Sequence, residues 1–377
     1  MGHPRPPRPR NPRPPGRPSE RVRRQRLTVL ALLVAGGLAV IVAVVAGSGS
    51  SHGPSSSSPT SSSSSAPGAR SPGGQQTSAR GGSRRVTPAV GSVRVKTVAR
   101  LPAQVQDPAA AALASGVLLI GGLSASDVSV AGIESVEAGP PARTRTVGSL
   151  PARLHDAAAS TVGSSAYMFG GGDLGSSAEI LRVSTDGTTA VAGRLPKAAS
   201  DVGAATVDGT AYVVGGYTGK VSLATIVAWR PGGSAKVVAR LPQPLRYAAV
   251  AAVGGHVLIA GGTQPSGAAS RVVLSFDPGT GQVSQVAMLP HPITHAAAGS
   301  LANTLYVIGG RASALGTQTR QILAVPAAGG RVRSAGRLPY ALSDAGAASL
   351  PDQILVAGGR DPSGHVHDQV LALRARV

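Results

Sequence analysis

The sequence predicts an all-β fold, a closed wheel of six four-stranded sheets, on three observations. Leu-Pro and Gly-Gly each recur six times in register in the 377-residue chain, and the Leu lies 20 residues before the first Gly in every copy. The copies follow one another at intervals of 45 to 49 residues. Each copy contains four short apolar runs separated by turn residues, which is the strand content of one β-propeller blade.

The two repeated dipeptides give the register of the six units. The Leu-Pro pairs begin at Leu101, Leu150, Leu195, Leu241, Leu289 and Leu338. The doublets, which we assign as structural glycines, are Gly121 and Gly122, Gly170 and Gly171, Gly215 and Gly216, Gly261 and Gly262, Gly309 and Gly310, and Gly358 and Gly359. Because glycine lacks a Cβ, a doublet after the second strand permits a positive φ and a close approach of the neighbouring blade.

The first strand of each unit is rich in alanine, as at residues 109–112 and 296–298. Helix propensity alone would favour helices there. In a wheel, however, the first strands converge on a central channel that accommodates only small side chains, so we expect strands.

An aromatic residue stands three positions before the first glycine of the doublet in three units, at Tyr167, Tyr212 and Tyr306. Together with the doublets, this motif resembles the kelch-repeat family over roughly residues 93–377. The resemblance implies a six-bladed kelch-type β-propeller. It also implies that ligands bind on the face formed by the loops from the fourth strand to the first and from the second strand to the third.

The two ends of the repeat region predict how the wheel closes. Residues 93–100 have the character of a fourth strand that precedes the first Leu-Pro and has no blade of its own. The last unit ends at Val377 after its third strand. We therefore expect the N-terminal strand to complete the last blade, so that six units make six blades and no sheet edge is left at the seam.

The N-terminal quarter is predicted to lie outside the wheel. Residues 1–92 carry 13 Lys and Arg residues and one acid, in a chain whose formal net charge is +20. Residues 1–26 are rich in Pro and Arg, and proline prevents a regular helix, so we expect a basic, disordered cytoplasmic tail. Because so much of the excess charge lies here, we expect no nucleic-acid partner for the wheel.

Residues 27–46 are predicted to form a single transmembrane helix. These 20 residues contain no charged or amide side chain, and a helix of this length spans ~30 Å, about one hydrocarbon core. Four arginines between positions 21 and 26 precede the segment. The positive-inside rule then places the N-terminus in the cytoplasm and the wheel outside the cell membrane. A cleavable signal peptide ending at Ala46 is the alternative.

Residues 47–92 consist almost entirely of Ser, Gly, Pro, Thr and Ala. Such a segment lacks the apolar area needed to offset the entropy lost on ordering, so we expect a disordered linker. As a coil it would average ~35–40 Å from end to end. Its composition also permits O-glycosylation.

A column of polar residues marks a candidate binding site on the wheel. The residue six positions after each Leu of Leu-Pro is Asp107, Asp156, Asp201, Tyr247, His295 or Asp344. In a six-fold fold these residues would form a ring at the channel mouth, where they could hold a cation or an amine. The alternative is structural, with each Asp capping loop N–H groups or pairing with an Arg of the same corner.

The loop at residues 361–368 is a candidate metal site. It contains Asp361, His365, His367 and Asp368, and a His-x-His pair in extended chain directs both imidazoles to one side. Nitrogen and oxygen ligands of this kind suit zinc or copper. The alternative is a polar, solvated loop.

The absence of cysteine excludes disulfides, Cys-ligated zinc and a thiol nucleophile, and we expect no cofactor. The sequence therefore favours a membrane-anchored, extracytoplasmic binding module for a protein or a cell-envelope polymer. The alternative is an envelope enzyme, either a metal-assisted hydrolase, a lyase or a sugar isomerase, that uses His and Asp at the channel mouth.

Overall fold

The computed structural model describes residues 91–376, which form six four-stranded antiparallel sheets and contain no helix. The predicted basic tail, the apolar segment at 27–46 and nearly all of the linker lie outside these residues. Between residues 91 and 376 there is accordingly no helix with the length and apolar character needed to cross a bilayer.

The first three blades follow the chain without interruption, and in each the four strands pair in order. Blade 1 consists of β2 (Ala109–Leu113), β3 (Gly116–Ile120), β4 (Gly132–Glu137) and β5 (Arg143–Ser149). Blade 2 consists of β6 (His155–Val162), β7 (Ser165–Gly172), β8 (Glu179–Val183) and β9 (Thr189–Arg194). Blade 3 consists of β10 (Gly203–Val207), β11 (Thr210–Val214), β12 (Thr225–Trp229) and β13 (Lys236–Arg240).

The remaining blades have the same strand order, and the last one draws on both ends of the described chain. Blade 4 consists of β14 (Ala249–Val253), β15 (His256–Ala260), β16 (Val272–Phe276) and β17 (Val283–Met288). Blade 5 consists of β18 (Ala297–Leu301), β19 (Thr304–Ile308), β20 (Gln321–Pro326) and β21 (Arg333–Arg337). Blade 6 combines β22 (Gly346–Ser349), β23 (Ile354–Ala357) and β24 (Gln369–Ala375) with β1 (Val93–Arg100).

Strand β1 is the outer strand of blade 6. It pairs antiparallel with β24, from Val93 opposite Ala375 to Arg100 opposite Gln369, with a bulge after Thr97. Val93 is buried in the core between blades 5 and 6. The chain therefore reaches the propeller at one end of blade 6, and β1 runs from there towards the first Leu-Pro.

Six apolar cores lie between neighbouring blades and hold the wheel together. Between blades 1 and 2, for example, Ile120 and Ile133 pack in one cluster with Met168 and Leu181. The second strands β3, β11 and β19 are buried along their whole length. Because both faces of these strands are covered, they are continuous apolar runs rather than alternating ones.

The glycine doublets join each blade to the next one. The N–H of Gly122 donates to the carbonyl of Leu154 at 2.9 Å, and the N–H of Gly359 donates to the carbonyl of Val105 at 2.8 Å. The same bond joins Gly171 to Ala199, Gly216 to Leu245, Gly262 to Ile293 and Gly310 to Leu342. The first glycine of the doublet leaves room for that carbonyl, because a Cβ on Gly358, at a φ of +68°, would lie 2.2 Å from the Val105 oxygen.

This contact predicts the effect of adding one methyl group at the seam. We expect Gly358→Ala to lower the free energy of unfolding by roughly 2–4 kcal/mol, because it adds a clash to an unfavourable left-handed backbone. The matched control is Gly267→Ala, whose φ is +84° and whose Cβ would meet nothing within 4 Å. It should lose only about 1 kcal/mol. The free energies are measured by urea unfolding, with Trp229 fluorescence as the probe. Equal losses of stability in the two variants would contradict the role of the doublet.

Candidate functional site

The six predicted ring residues line one cavity at the mouth of the central channel: Asp107, Asp156, Asp201, Tyr247, His295 and Asp344. Each has a left-handed backbone, with φ between 51° and 60°. Asp and His tolerate this conformation better than most residues, whereas a bulky side chain such as that of Tyr247 rarely adopts it. In five of the six steps round the ring, a residue donates its N–H to the carbonyl of its neighbour, at 2.7–3.2 Å.

The repeat positions the ring through a second contact. The residue before each ring residue pairs with the residue that follows the glycine doublet, as in Arg246 with Thr263 and Thr294 with Arg311. The doublet also bonds to the carbonyl two residues before the ring residue, at Val105 or its equivalents. The backbone of each ring residue is thus held by contacts at the ring residue itself or at the two residues before it, and these contacts fix where its side chain begins.

The four carboxyl groups form two pairs. Asp107 is hydrogen-bonded to Asp344, and Asp156 is hydrogen-bonded to Asp201. Burial raises the pKa of Asp107 well above its usual range, and the charges of Asp344 and Asp156 raise it further. Burial and the charge of Asp201 raise the pKa of Asp156 to about 8. With a pKa of about 8, Asp156 keeps its proton near neutral pH and can donate it to Asp201, and burial favours the protonated form of Asp107 beside Asp344.

Two arginines stand beside Asp201 and Asp344, the other members of these pairs. Burial raises the pKa of Asp201, while the Ser200 hydroxyl and Arg246, whose guanidinium is 3.4 Å from the Asp201 carboxylate, act in the opposite sense. Burial likewise raises the pKa of Asp344, against the effects of the Ser343 hydroxyl and Arg311. The ring therefore presents hydrogen-bond donors and acceptors together rather than an uncompensated negative charge.

Tyr247 and His295 are the other two residues of the ring. Their rings are stacked with centroids 3.8 Å apart, and the Tyr247 hydroxyl crosses the mouth to donate to Asp156 at 3.0 Å. Arg311 donates to His295 Nε2 at 3.0 Å, which requires that nitrogen to be unprotonated. Burial lowers the pKa of His295 to about 2, and Arg311 and Arg246 contribute in the same direction. His295 is therefore a neutral imidazole at any physiological pH.

The cavity enclosed by the ring has a volume of about 120 Å³. That volume accommodates a small polar group or a few waters, but not a whole sugar or peptide. A second cavity of about 210 Å³ lies further along the channel and is lined by Ala, Ser, Thr, Gly and Val of the six innermost strands. A ligand larger than a few atoms must therefore rest on the surrounding loops and insert one group into the ring.

In the loop at residues 361–368, the polar side chains are not arranged as the predicted metal site would require. His367 is buried, with Nε2 3.2 Å from the Asp361 carboxylate and Nδ1 2.9 Å from the Gln369 side-chain oxygen. The ring of Tyr340 stacks on it at 4.0 Å. Both imidazole nitrogens are thus occupied by protein groups.

Of the other two predicted ligands, His365 lies beside His367 and Asp368 pairs with a residue of another strand. His365 is exposed and meets His367 edge-on at 4.7 Å between centroids, and Asp368 forms an ion pair with Arg100 at 2.8 Å. In the part of the chain that the structure describes, no three His, Asp or Glu side chains are grouped so as to hold a metal ion. The structure therefore does not bring Asp361, His365, His367 and Asp368 together as one ligand set.

Further polar residues, which were not predicted as part of the site, form hydrogen bonds just outside the ring. His155 Nδ1 is 2.9 Å from the Ser129 hydroxyl, which donates to Asp173 at 2.7 Å. In the same way, Gln106 and Arg360 both donate to Asp127 at 2.8 Å. These residues could have been found from the repeat, because Gln106, His155 and Arg360 lie at constant offsets from Leu-Pro or from the doublet.

Four exposed apolar side chains surround the mouth at a greater radius, and we call them the apolar crown. They are Val128, Leu174, Val221 and Leu315, and Leu174 is fully exposed. All four lie in loops that join the second strand of a blade to the third, on the ring face. Each of them can make apolar contact with a ligand that rests on the ring face.

Comparison with solved structures finds the same architecture in YjhT, a kelch-type protein. The match covers 74% of this chain and 100% of that chain, with a TM-score of 0.63 and 13% sequence identity. At this identity the likeness shows the six-bladed propeller fold and nothing about the ligand. No family model and no curated protein matches the sequence.

The raised pKa of Asp156 predicts a pH dependence of stability. The carboxyl has a pKa of about 8 in the folded protein and 3.8 without the fold, so the folded state retains a proton that the unfolded state releases. The free energy of unfolding should therefore fall as the pH rises from about 4 to 8. We expect Asp156→Asn to be more stable than the wild type at pH 8 by ~1 kcal/mol or more, with little difference at pH 4.

Urea unfolding at pH 4, 6 and 8 tests this expectation. The control is Asp186→Asn, which removes an exposed carboxylate whose pKa is lowered by hydrogen bonds to Thr188. That variant should keep the wild-type slope between pH 5 and 8. A slope unchanged in Asp156→Asn would show that Asp156 does not hold a proton in the folded state.

Proposed function

We propose that the chain is a kelch-repeat propeller tethered to the outer side of the cell membrane by residues 27–46, and that it binds a protein or cell-envelope polymer through its ring face. The six-bladed fold and the kelch-type structural neighbour support the family assignment. The apolar sequence of residues 27–46 and the arginines before it support the tether and its orientation.

The observation that carries the binding proposal is the composition of the ring face. A polar cavity of about 120 Å³ lies at its centre, and the four side chains of the apolar crown surround it. The backbone of the blades is repeated, whereas the loops that carry the crown differ in length and sequence from blade to blade. A rigid scaffold with variable loops is the usual design of a binding platform.

The chemistry of the ring indicates the kind of group that enters it. Asp156, with a pKa of about 8, supplies a protonated carboxyl, and the other three carboxyl groups supply acceptor oxygens. Because Arg246 and Arg311 act to lower the pKa of Asp201 and Asp344 and offset their charge, a group with both donors and acceptors, such as a hydroxyl or an amide, is matched better than a bare cation. The crown would hold the rest of the ligand by apolar contact.

Binding should depend on the crown more than on apolar side chains elsewhere. The crown variant replaces Val128, Leu174, Val221 and Leu315 by Ser, and the control variant replaces Val191, Val237, Val238 and Met288 by Ser. The control residues are the other exposed large apolar side chains of the described chain, and they lie on the outer strands of blades 2 to 4. Both variants lose four exposed apolar groups.

The measurement is capture from solubilised envelope of the source organism by full-length protein in detergent, with retained proteins and glycans quantified by mass spectrometry. We expect the crown variant to retain at least tenfold less of the specific ligand than the wild type, and the control variant to retain wild-type amounts. Equal losses in both variants, or a loss only in the control, would place the binding surface elsewhere.

A second candidate function rests on the two carboxyl pairs. Asp156, with a pKa of about 8, and Asp107 can donate protons within the same cavity in which Asp201 and Asp344 can accept them. This is the arrangement of a general acid and a general base. It supports the alternative function that the sequence suggests, a lyase or a sugar isomerase. Tyr247, which bonds to Asp156, would position that acid.

The catalytic alternative predicts a specific pH profile. Wild-type protein should exchange a ring proton of an envelope-derived sugar with D₂O, followed by NMR, and the rate should fall above about pH 8 as Asp156 loses its proton. Asp156→Asn should lose at least a hundredfold in rate, whereas Asp186→Asn should not change it. An exchange rate unaffected by Asp156→Asn would rule out this role.

A further inference from the structure

A basic cleft lies at the far end of blade 6 from the ring, and we call it the seam cleft. It has a volume of about 710 Å³ and lies between β1, the end of β24 and the loop at residues 139–142 of blade 1. Arg94, Lys96, Arg374 and Arg376 line it, and all four are exposed. The two prolines of the loop and Val98 supply its apolar wall.

The strand register concentrates these cations on one face. Arg94 and Lys96 are two residues apart on β1, so their side chains lie on the same side of the sheet. Arg94 stands directly opposite Arg374 on β24. Like charges directly opposite each other on neighbouring strands destabilise a sheet. An anion bound between them would remove this repulsion, so the arrangement suits an anionic partner.

Acidic groups of the described residues do little to neutralise the cleft. Asp352 is 3.5 Å from Arg374, but both side chains are more than half exposed, so water and salt weaken the pair. Among residues 91–376, no ion pair holds Arg94, Lys96 or Arg376. The cleft therefore carries an excess of about three positive charges.

The cleft lies beside the point where the N-terminal segment enters the propeller. Val93 and Arg376 lie at the same end of blade 6, and the N–H of Arg376 donates to the carbonyl of Ser92 at 2.8 Å. The linker thus joins the propeller beside the cleft. The ring residues lie at the opposite end, because β1 runs from Val93 to Arg100 and leads on to Asp107.

We infer that the seam cleft docks on the phosphodiester headgroups of anionic lipids, and that this contact turns the ring face away from the bilayer. The inference rests on the proposed membrane tether. A bilayer is favoured over a soluble polyanion because a coil linker of about 45 residues would keep the cleft, on average, ~35–40 Å from the membrane surface. At the millimolar effective concentration that such a tether provides, a few weak electrostatic contacts are sufficient.

The test uses full-length protein reconstituted in nanodiscs, and the absence of cysteine in the chain allows single labels. Thr97→Cys places a donor dye beside the cleft, and Ser266→Cys places it in an exposed loop of the ring face. The acceptor is a headgroup-labelled lipid. In phosphatidylglycerol nanodiscs at 0.1 M salt, we expect at least threefold more energy transfer from position 97 than from position 266.

The dependence of the energy transfer on charge tests whether the seam cleft causes the docking. Replacing Arg94, Lys96 and Arg376 by Ser should reduce the transfer from position 97 at least twofold, as should 0.5 M salt or phosphatidylcholine nanodiscs. The matched control replaces Lys197, Lys236 and Arg240, three exposed cations of the blade 2–3 region, by Ser. It removes the same charge and should leave the transfer unchanged. Equal transfer from both labels, or equal effects of the two triple variants, would overturn the inference.

Two further measurements separate the possible failures. Extraction of the protein from proteoliposomes by alkaline carbonate would refute the tether, and the inference with it, whereas a retained protein without charge-dependent transfer would refute the docking alone. Soluble polyphosphate should displace the seam cleft from the lipid only when its phosphate is in large excess over the anionic lipid. Release at equal phosphate concentration would assign the cleft to a soluble polyanion and overturn the lipid assignment.

Discussion

The hydrogen bond from the second glycine of each doublet to the next blade is the contact on which the site depends. It occurs six times, including the bond from Gly359 of blade 6 to Val105 of blade 1. Its acceptor lies two residues before a ring residue, so the bond that joins two blades also positions the side chain at the channel mouth. The first glycine of the doublet is required because a Cβ would occupy the space of the accepting carbonyl. Fold and site are therefore specified by the same few backbone atoms.

This scaffold sustains an arrangement that would be unfavourable in isolation. Four buried carboxyls converge with raised pKa values, and six residues, including the bulky Tyr247, adopt a left-handed backbone. Each feature lowers stability, and the six cores between the blades compensate for the loss. Backbone strain and shifted pKa values that occur at one point are frequent at functional sites. They support the proposal that the ring takes part in binding.

The sequence predicts which residues form the ring, because these repeat with a fixed period. It does not predict which of their side chains pair or which loop side chains are exposed. The ring from Asp107 to Asp344 follows from a constant offset to Leu-Pro, because a closed wheel brings equal positions to one radius. The pairing of Asp156 with Asp201, or the reach of Tyr247 across the mouth, depends on distances that no period encodes. Of the four residues proposed as a metal site, Asp361, His365 and His367 lie together, whereas Asp368 pairs with Arg100 on β1, a partner 268 residues away in the sequence. The crown was missed because side-chain exposure in loops of unequal length has no period.

Chain direction in a propeller constrains what a terminal tether can do. Every fourth strand runs towards the ring face, since the loop that follows it carries the ring residue. A strand that completes a blade from the N-terminal side must therefore begin at the opposite face, as β1 does at Val93. The described chain therefore enters the propeller at the end of blade 6 remote from the ring. The seam cleft lies at that same end, so the entry of the chain and the positive charge share one side of the propeller, while the ring and the crown occupy the other.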